Sequence, residues 1–147
     1  MIKSLFLVLA MQFAGGTLPS VPGYPNPDVT QDNIQETVCM PGWTKTIRPP
    51  ASYTNKLKRQ QMAAFHLDGE PADYEEDHLI SLELGGHPTD PRNLWPEPYA
   101  PKPGAREKDQ VENFLHREVC AGRMTLAAAQ LAIATDWTLV SVRKNVN

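Results

Sequence analysis

The sequence predicts one α+β domain in which a short two-stranded element is flanked by helices and stapled by a disulfide. Three observations predict it. A chain of 147 residues, 41% hydrophobic and 21% charged, has room for a single modest core and not for two domains. Residues 74–78 and 93–95 read as short strands bounded by turn and loop residues. Residues 55–65, 105–121 and 125–135 instead carry apolar side chains at helical spacing.

In chain order, residues 1–16 read as an export signal. Lys3 gives a positive start, residues 5–14 are nearly all apolar, and Ala14-Gly15-Gly16 supplies small residues for cleavage after Gly16. The apolar run is near half the ~20 residues a bilayer span takes and contains Gln12, which weighs against a retained anchor. Residues 17–37 hold Pro19, Pro22, Pro25 and Pro27 among polar neighbours and read as a disordered Pro-rich linker. The folded domain is then expected over 38–147, opening at Cys39, with a turn at Pro41-Gly42 and Trp43 as its first large core side chain.

Cys39 and Cys120 are the two cysteines. In an exported chain, an even count at wide spacing points to a disulfide tying the start of the domain to the end of its long helix. The alternative is a pair of buried free thiols. No closely spaced cysteine pair suggests a zinc knuckle.

After Pro49-Pro50 breaks the chain, Thr54 stands where an N-cap belongs, ahead of Leu57, Gln61, Met62 and Phe65 on one face of a helix over 55–65. Lys56 and Arg59 fall on its other face, which is either simply solvated or turned toward phosphate. His66 at the helix end suits the helix dipole. Along the strand 74–78, Glu76 and His78 share one face while Glu75 and Asp77 share the other. A strand end or bulge at Asp77-His78 would bring both side chains to one site. Leu79, Ile80, Leu82 and Leu84 are anchors and His87 belongs to a loop. Asn93-Leu94-Trp95 forms the second strand, and four prolines over 96–104 exclude a regular element there. Val111, Phe114, Leu115 and Val119 make the apolar stripe of the long helix, which Gly122 ends. Thr125 caps the last helix, with Leu126, Ala129 and Ile133 facing inward.

Net charge is −3, and −4 once Lys3 leaves with the signal, a balance that argues mildly against a nucleic-acid binder. The charges are segregated, however. Residues 37–67 carry five basic side chains (Lys45, Arg48, Lys56, Lys58, Arg59) and no acid, whereas 68–84 carry seven acids and no base. That pattern gives either a basic surface beside an acidic site or ordinary solvated faces.

The strings DHLISLELGG, NLWPEP, KDQVENFL and VCAGRMTLAAAQLAIATDW, with VCMPGWTKTIRPPASYTNKLK upstream, run in one order over roughly residues 39–137. Together they resemble the ββα-metal, or His-Me finger, core of HNH endonucleases, and in particular small exported HNH-like proteins. The resemblance implies His78 as the general base that takes a proton from water, because a neutral imidazole accepts one near physiological pH. It implies Asp77 as a ligand to a divalent metal, Mg²⁺ first and Mn²⁺ as the alternative. Asn93 would hold the Asp-His loop or orient His78. The third His or Asn that HNH cores place at the helix start is absent here, so Asp109, then Glu112, then Glu97 are candidates to complete the shell. Lys108 would contact phosphate, pair with Asp77, or take the place of a cation. Lys56, Arg59, Arg92 and Arg106 are the other candidate backbone contacts. The implied protein is a secreted or periplasmic metal-dependent endonuclease of low sequence specificity, acting on DNA first and RNA second, with no membrane partner after signal cleavage. A secreted binding module that keeps the fold without catalysis is the alternative.

Overall fold

The computed structural model describes residues 20–142. An antiparallel ribbon of two strands, β1 (Tyr74–His78) and β2 (Leu94–Pro98), lies between helices. The helices are α1 (Trp43–Ile47), α2 (Ala51–Ala64), α3 (Ala105–Cys120) and α4 (Leu126–Asp136). α2 packs on both strands and α3 on β1. The arrangement is therefore α+β, and Cys39 and Cys120 are joined by a disulfide. The export signal expected over 1–16 falls outside the described residues; among those described, no helix is long and apolar enough to cross a membrane.

β2 extends to Pro98, where the sequence predicts strand only over 93–95 and nothing regular beyond. The register explains why two prolines are tolerated. Leu79 N donates to Asn93 O (2.8 Å) and Tyr99 N to Asp73 O (3.1 Å), so ladder bonds fall on alternate pairs. Pro96 and Pro98, opposite Glu76 and Tyr74, occupy the positions between, where no N–H toward β1 is required. The outward carbonyls are bonded by side chains of α2: Lys58 Nζ donates to Tyr74 O (2.9 Å) and Gln61 Nε2 to Leu94 O (2.7 Å).

α2 begins at Ala51, ahead of the predicted 55–65. Pro50, at φ −66°, stands at the N-cap, and a proline just before the first turn costs no helical hydrogen bond. Thr54 is therefore no cap; its hydroxyl donates back to Ala51 O (3.3 Å). α3 matches its predicted stripe, with Val111, Leu115 and Val119 buried, and the Glu107 carboxylate accepts from Gly104 N (2.9 Å) at its start. Gly122, at φ +71°, ends it as expected. Thr125 Oγ1 accepts from Ala128 N (3.2 Å), capping α4.

The predicted linker over 17–37 is corrected by its described part. Val29 and Ile34 sit in the same core as Val38, Ile80, Leu84, Val111, Leu115, Val119, Leu126, Ala129, Ile133 and Trp137. Gly23 N donates to Arg92 O (2.9 Å), Asn26 N to Gly85 O (2.8 Å) and His87 N to Tyr24 O (2.8 Å), with a bridge from Pro25 to Gly86. Sparse apolar side chains suffice here because each one docks on a surface built by later residues, which composition of the segment alone does not reveal.

Candidate active site

The loop from β1 to β2 is organised by Asn93, which is fully buried. Its Oδ1 accepts from Ile80 N (3.0 Å) and Tyr24 N (3.1 Å), and its Nδ2 donates to Ile80 O (3.0 Å) and His87 O (3.0 Å). All four hydrogen-bonding places of the amide are thus used. This is the loop-holding role the sequence suggests for Asn93. The loop closes on Gly86, whose N donates to Ser81 O (2.9 Å).

His78, at the end of β1, is only 7% exposed. Its Nε2 lies 2.9 Å from Pro88 O, and a carbonyl can only accept, so Nε2 carries the hydrogen and Nδ1 the lone pair. Burial holds the imidazole pKa below its ordinary value and outweighs the opposing pull of the Pro88 carbonyl and of Asp77. The ring is neutral at physiological pH.

Asp77 takes the other face of the strand, with no bulge to redirect it: Asp77 pairs with Trp95 and His78 with Leu94 in continuous register. Its Oδ2 receives Lys108 Nζ at 2.6 Å. Lys108 also donates to His78 O (3.0 Å) and to Glu112 Oε1, one helical turn on. Lys108 is 0% exposed, and of the three roles the sequence offers it the pairing with Asp77 is the one the structure forms. Burial disfavours its charge, but Asp77, Glu112 and Glu97 more than compensate and hold the ammonium charged. Of the acids named from the sequence as metal ligands, Asp77 and Glu112 do converge, yet on an ammonium. Among the described residues no three carboxylates close on a single point. The place between Asp77 and Glu112 therefore does not fit a divalent ion in the native chain.

Glu97, also a candidate ligand, is 1% exposed, and no N–H donor reaches either of its oxygens. Burial, with the Asp77 charge adding to it, pushes its pKa up to about 10. Burial likewise pushes Glu112 up to about 8, against the pull of Lys108. On the α2 side, Glu76 has both oxygens buried without a partner and is pushed up to about 8 by burial, against Lys58. The consequence for stability has a definite sign. A carboxyl whose folded pKa is raised stabilises the fold fully below its unfolded value and loses that contribution as pH rises through the folded value. Melting temperature is expected to fall as pH climbs from 4.5 toward about 8, as Glu76 ionises, and Glu76→Gln should flatten that part of the curve in thermal melts followed by circular dichroism.

An open cleft of about 290 Å³ lies beside this cluster, lined by Arg48, Ser81, Glu83, Asp109 and Glu112 among others. Asp109 faces it rather than Lys108, and burial followed by the Asp77 charge raises its pKa. Arg48 is exposed at the rim and close enough for its charge to act on His78 and Glu75. Neither Arg48 nor Glu75 stands out in the sequence except as a member of a charge run; they approach each other only in the folded chain. Lys56 and Arg59 are exposed on α2, away from this cleft. Arg92 is engaged by Asp90 (2.6 Å) and stacks 3.8 Å above the Tyr24 ring. Arg106 lies over Tyr99.

Cys39, His116 and Cys120 also offer ligand atoms within 4.8 Å of one another. Both sulfurs are spent in the disulfide, and His116 Nε2 is bonded to Val38 O (2.8 Å), so the group offers no thiolate to a metal. Comparison with models of known families, with curated proteins and with solved structures finds no match for this chain.

Proposed function

We propose that the protein is an exported hydrolase of nucleic-acid phosphodiesters, a nuclease of low sequence specificity on a His-Me finger core. The observation that carries the reading is His78: a buried, neutral imidazole whose Nε2–H is committed to Pro88 O, which leaves Nδ1 as the proton acceptor. A base of this kind takes the proton from water as the water attacks phosphorus. Asn93 serves it by fixing the loop that carries Pro88. Arg48 is the residue best placed to meet a phosphate oxygen in the cleft. A divalent ion, Mg²⁺ or Mn²⁺, belongs to the expectation raised by the family resemblance; no step is assigned to it, since Lys108 fills the place between Asp77 and Glu112.

That lysine, together with the acids Glu83, Asp109 and Glu112 on the cleft, favours the second reading, a secreted binding module without catalysis. One assay separates the two. The oxidised protein is incubated with plasmid DNA or with RNA, in Mg²⁺, Mn²⁺ or EDTA, beside His78→Ala. The nuclease reading expects nicking that drops by about 10²–10⁴-fold in His78→Ala. Nicking unaffected by that substitution sinks the base assignment, and no nicking under any condition favours the binding module.

A further inference from the structure

The groups around Lys108 Nζ form an oxygen cage. Asp77 Oδ2 (2.6 Å), the His78 carbonyl oxygen (3.0 Å) and Glu112 Oε1 all point at one place, reached from three separate backbone positions. Two carboxylates and a backbone carbonyl are the donors that hard divalent cations select. A further buried acid, Glu97, stands beside the cage. It is 1% exposed, no N–H donor reaches either of its oxygens, and it lies against Asp77; burial together with the Asp77 charge keeps it protonated.

We infer that the Asp77–Glu112–His78 carbonyl cage is a hard-cation site whose cation is supplied by the chain itself as Lys108, so that the native protein takes no divalent ion there and truncating Lys108 uncovers a site that does. The ammonium and a divalent ion compete for the same oxygens. The lysine wins in the native chain because it is tethered one helical turn from Glu112 and cannot diffuse away. With the side chain shortened to alanine, the cage keeps its donors and gains the volume of the lost side chain. The Asp77 and Glu112 carboxylates can then neutralise a doubly charged ion. The inference concerns the cage alone and is independent of what the cleft binds or cleaves.

The test uses the full oxidised protein and Mn²⁺ as the probe. Wild type is expected to show no bound Mn²⁺ by electron paramagnetic resonance and no change of melting temperature between EDTA and millimolar MnCl₂. Lys108→Ala is expected to bind one equivalent and to melt about 5 °C higher with Mn²⁺ than with EDTA. Lys108→Ala/Glu112→Gln should lose most of that binding. Mn²⁺ bound by wild type and removed by Asp77→Asn overturns the inference, as does a folded Lys108→Ala that binds none. If Lys108→Ala is unfolded in EDTA, recovery of its helical circular dichroism on adding Mn²⁺ supports the inference, and failure to recover counts against it.

Discussion

Gly86→Ala is expected to destabilise the protein by on the order of 5 kcal/mol and to disorder the loop between β1 and β2. A Cβ at this position would lie 1.7 Å from Ile80 O, 2.6 Å from the Ile80 carbonyl carbon and 2.7 Å from Asn93 Nδ2. The first two are backbone atoms and have nowhere to go. Leu79 is bonded to Asn93 on one side of Ile80, and the Ile80 side chain is 3% exposed in the core. Relief must come from separating the two sides of the loop, which breaks Gly86 N–Ser81 O and the Asn93 bonds to Ile80. Each buried polar group left unpaired costs about 1–3 kcal/mol. The control is Gly122→Ala, which unlike Gly86 has a positive φ but has open space around it, so only the left-handed backbone cost of about 1–2 kcal/mol applies. Urea denaturation of the two variants measures the difference. A Gly86→Ala midpoint equal to that of Gly122→Ala would contradict the close approach.

Removing the disulfide with Cys39→Ala/Cys120→Ala is expected to cost about 4.5 kcal/mol in the chain-entropy model, for a sequence separation of 81. The flanking residues Val38 and Val119 are both buried in the core, so the folded ends already meet without the cross-link. The effect therefore falls mainly on the unfolded chain, which regains the freedom the bond had removed. The variant should keep its folded circular dichroism, and its urea midpoint should match that of wild type reduced by a dithiol. Equal midpoints for oxidised wild type and variant would mean that the cross-link carries no stability.

How much of this was legible in the sequence depends on the distance over which each feature is written. α3 and α4 were legible because Val111, Leu115 and Val119, then Leu126, Ala129 and Ile133, repeat within a few residues. Asp77, His78 and Asn93 lie on a short segment, and their pairing follows from one strand, one loop and the next strand. The engagement of Asp77 by Lys108 spans 31 positions, and the sequence offers it only as one of three roles for the lysine. β2 was hidden because a proline usually argues against a strand, and only the register shows that Pro96 and Pro98 face away from the ladder. The packing of Val29 and Ile34 was hidden for the opposite reason: the segment has too little periodicity of its own to announce a partner. Arg48 and Glu75 meet the site through tertiary packing alone.

The ribbon between the helices has one more consequence. A two-stranded sheet has two edges, and an open edge is a template on which another chain can add a strand. Here the outward carbonyls of Tyr74 and His78 are held by Lys58 and Lys108, that of Leu94 by Gln61, and Pro96 and Pro98 present no N–H at all. The same lysine that fills the acidic cage is thus also a plug in the β1 edge. A folded copy accordingly offers its neighbours little backbone to pair with, and resistance to edge-to-edge aggregation is built into the residues that hold the site.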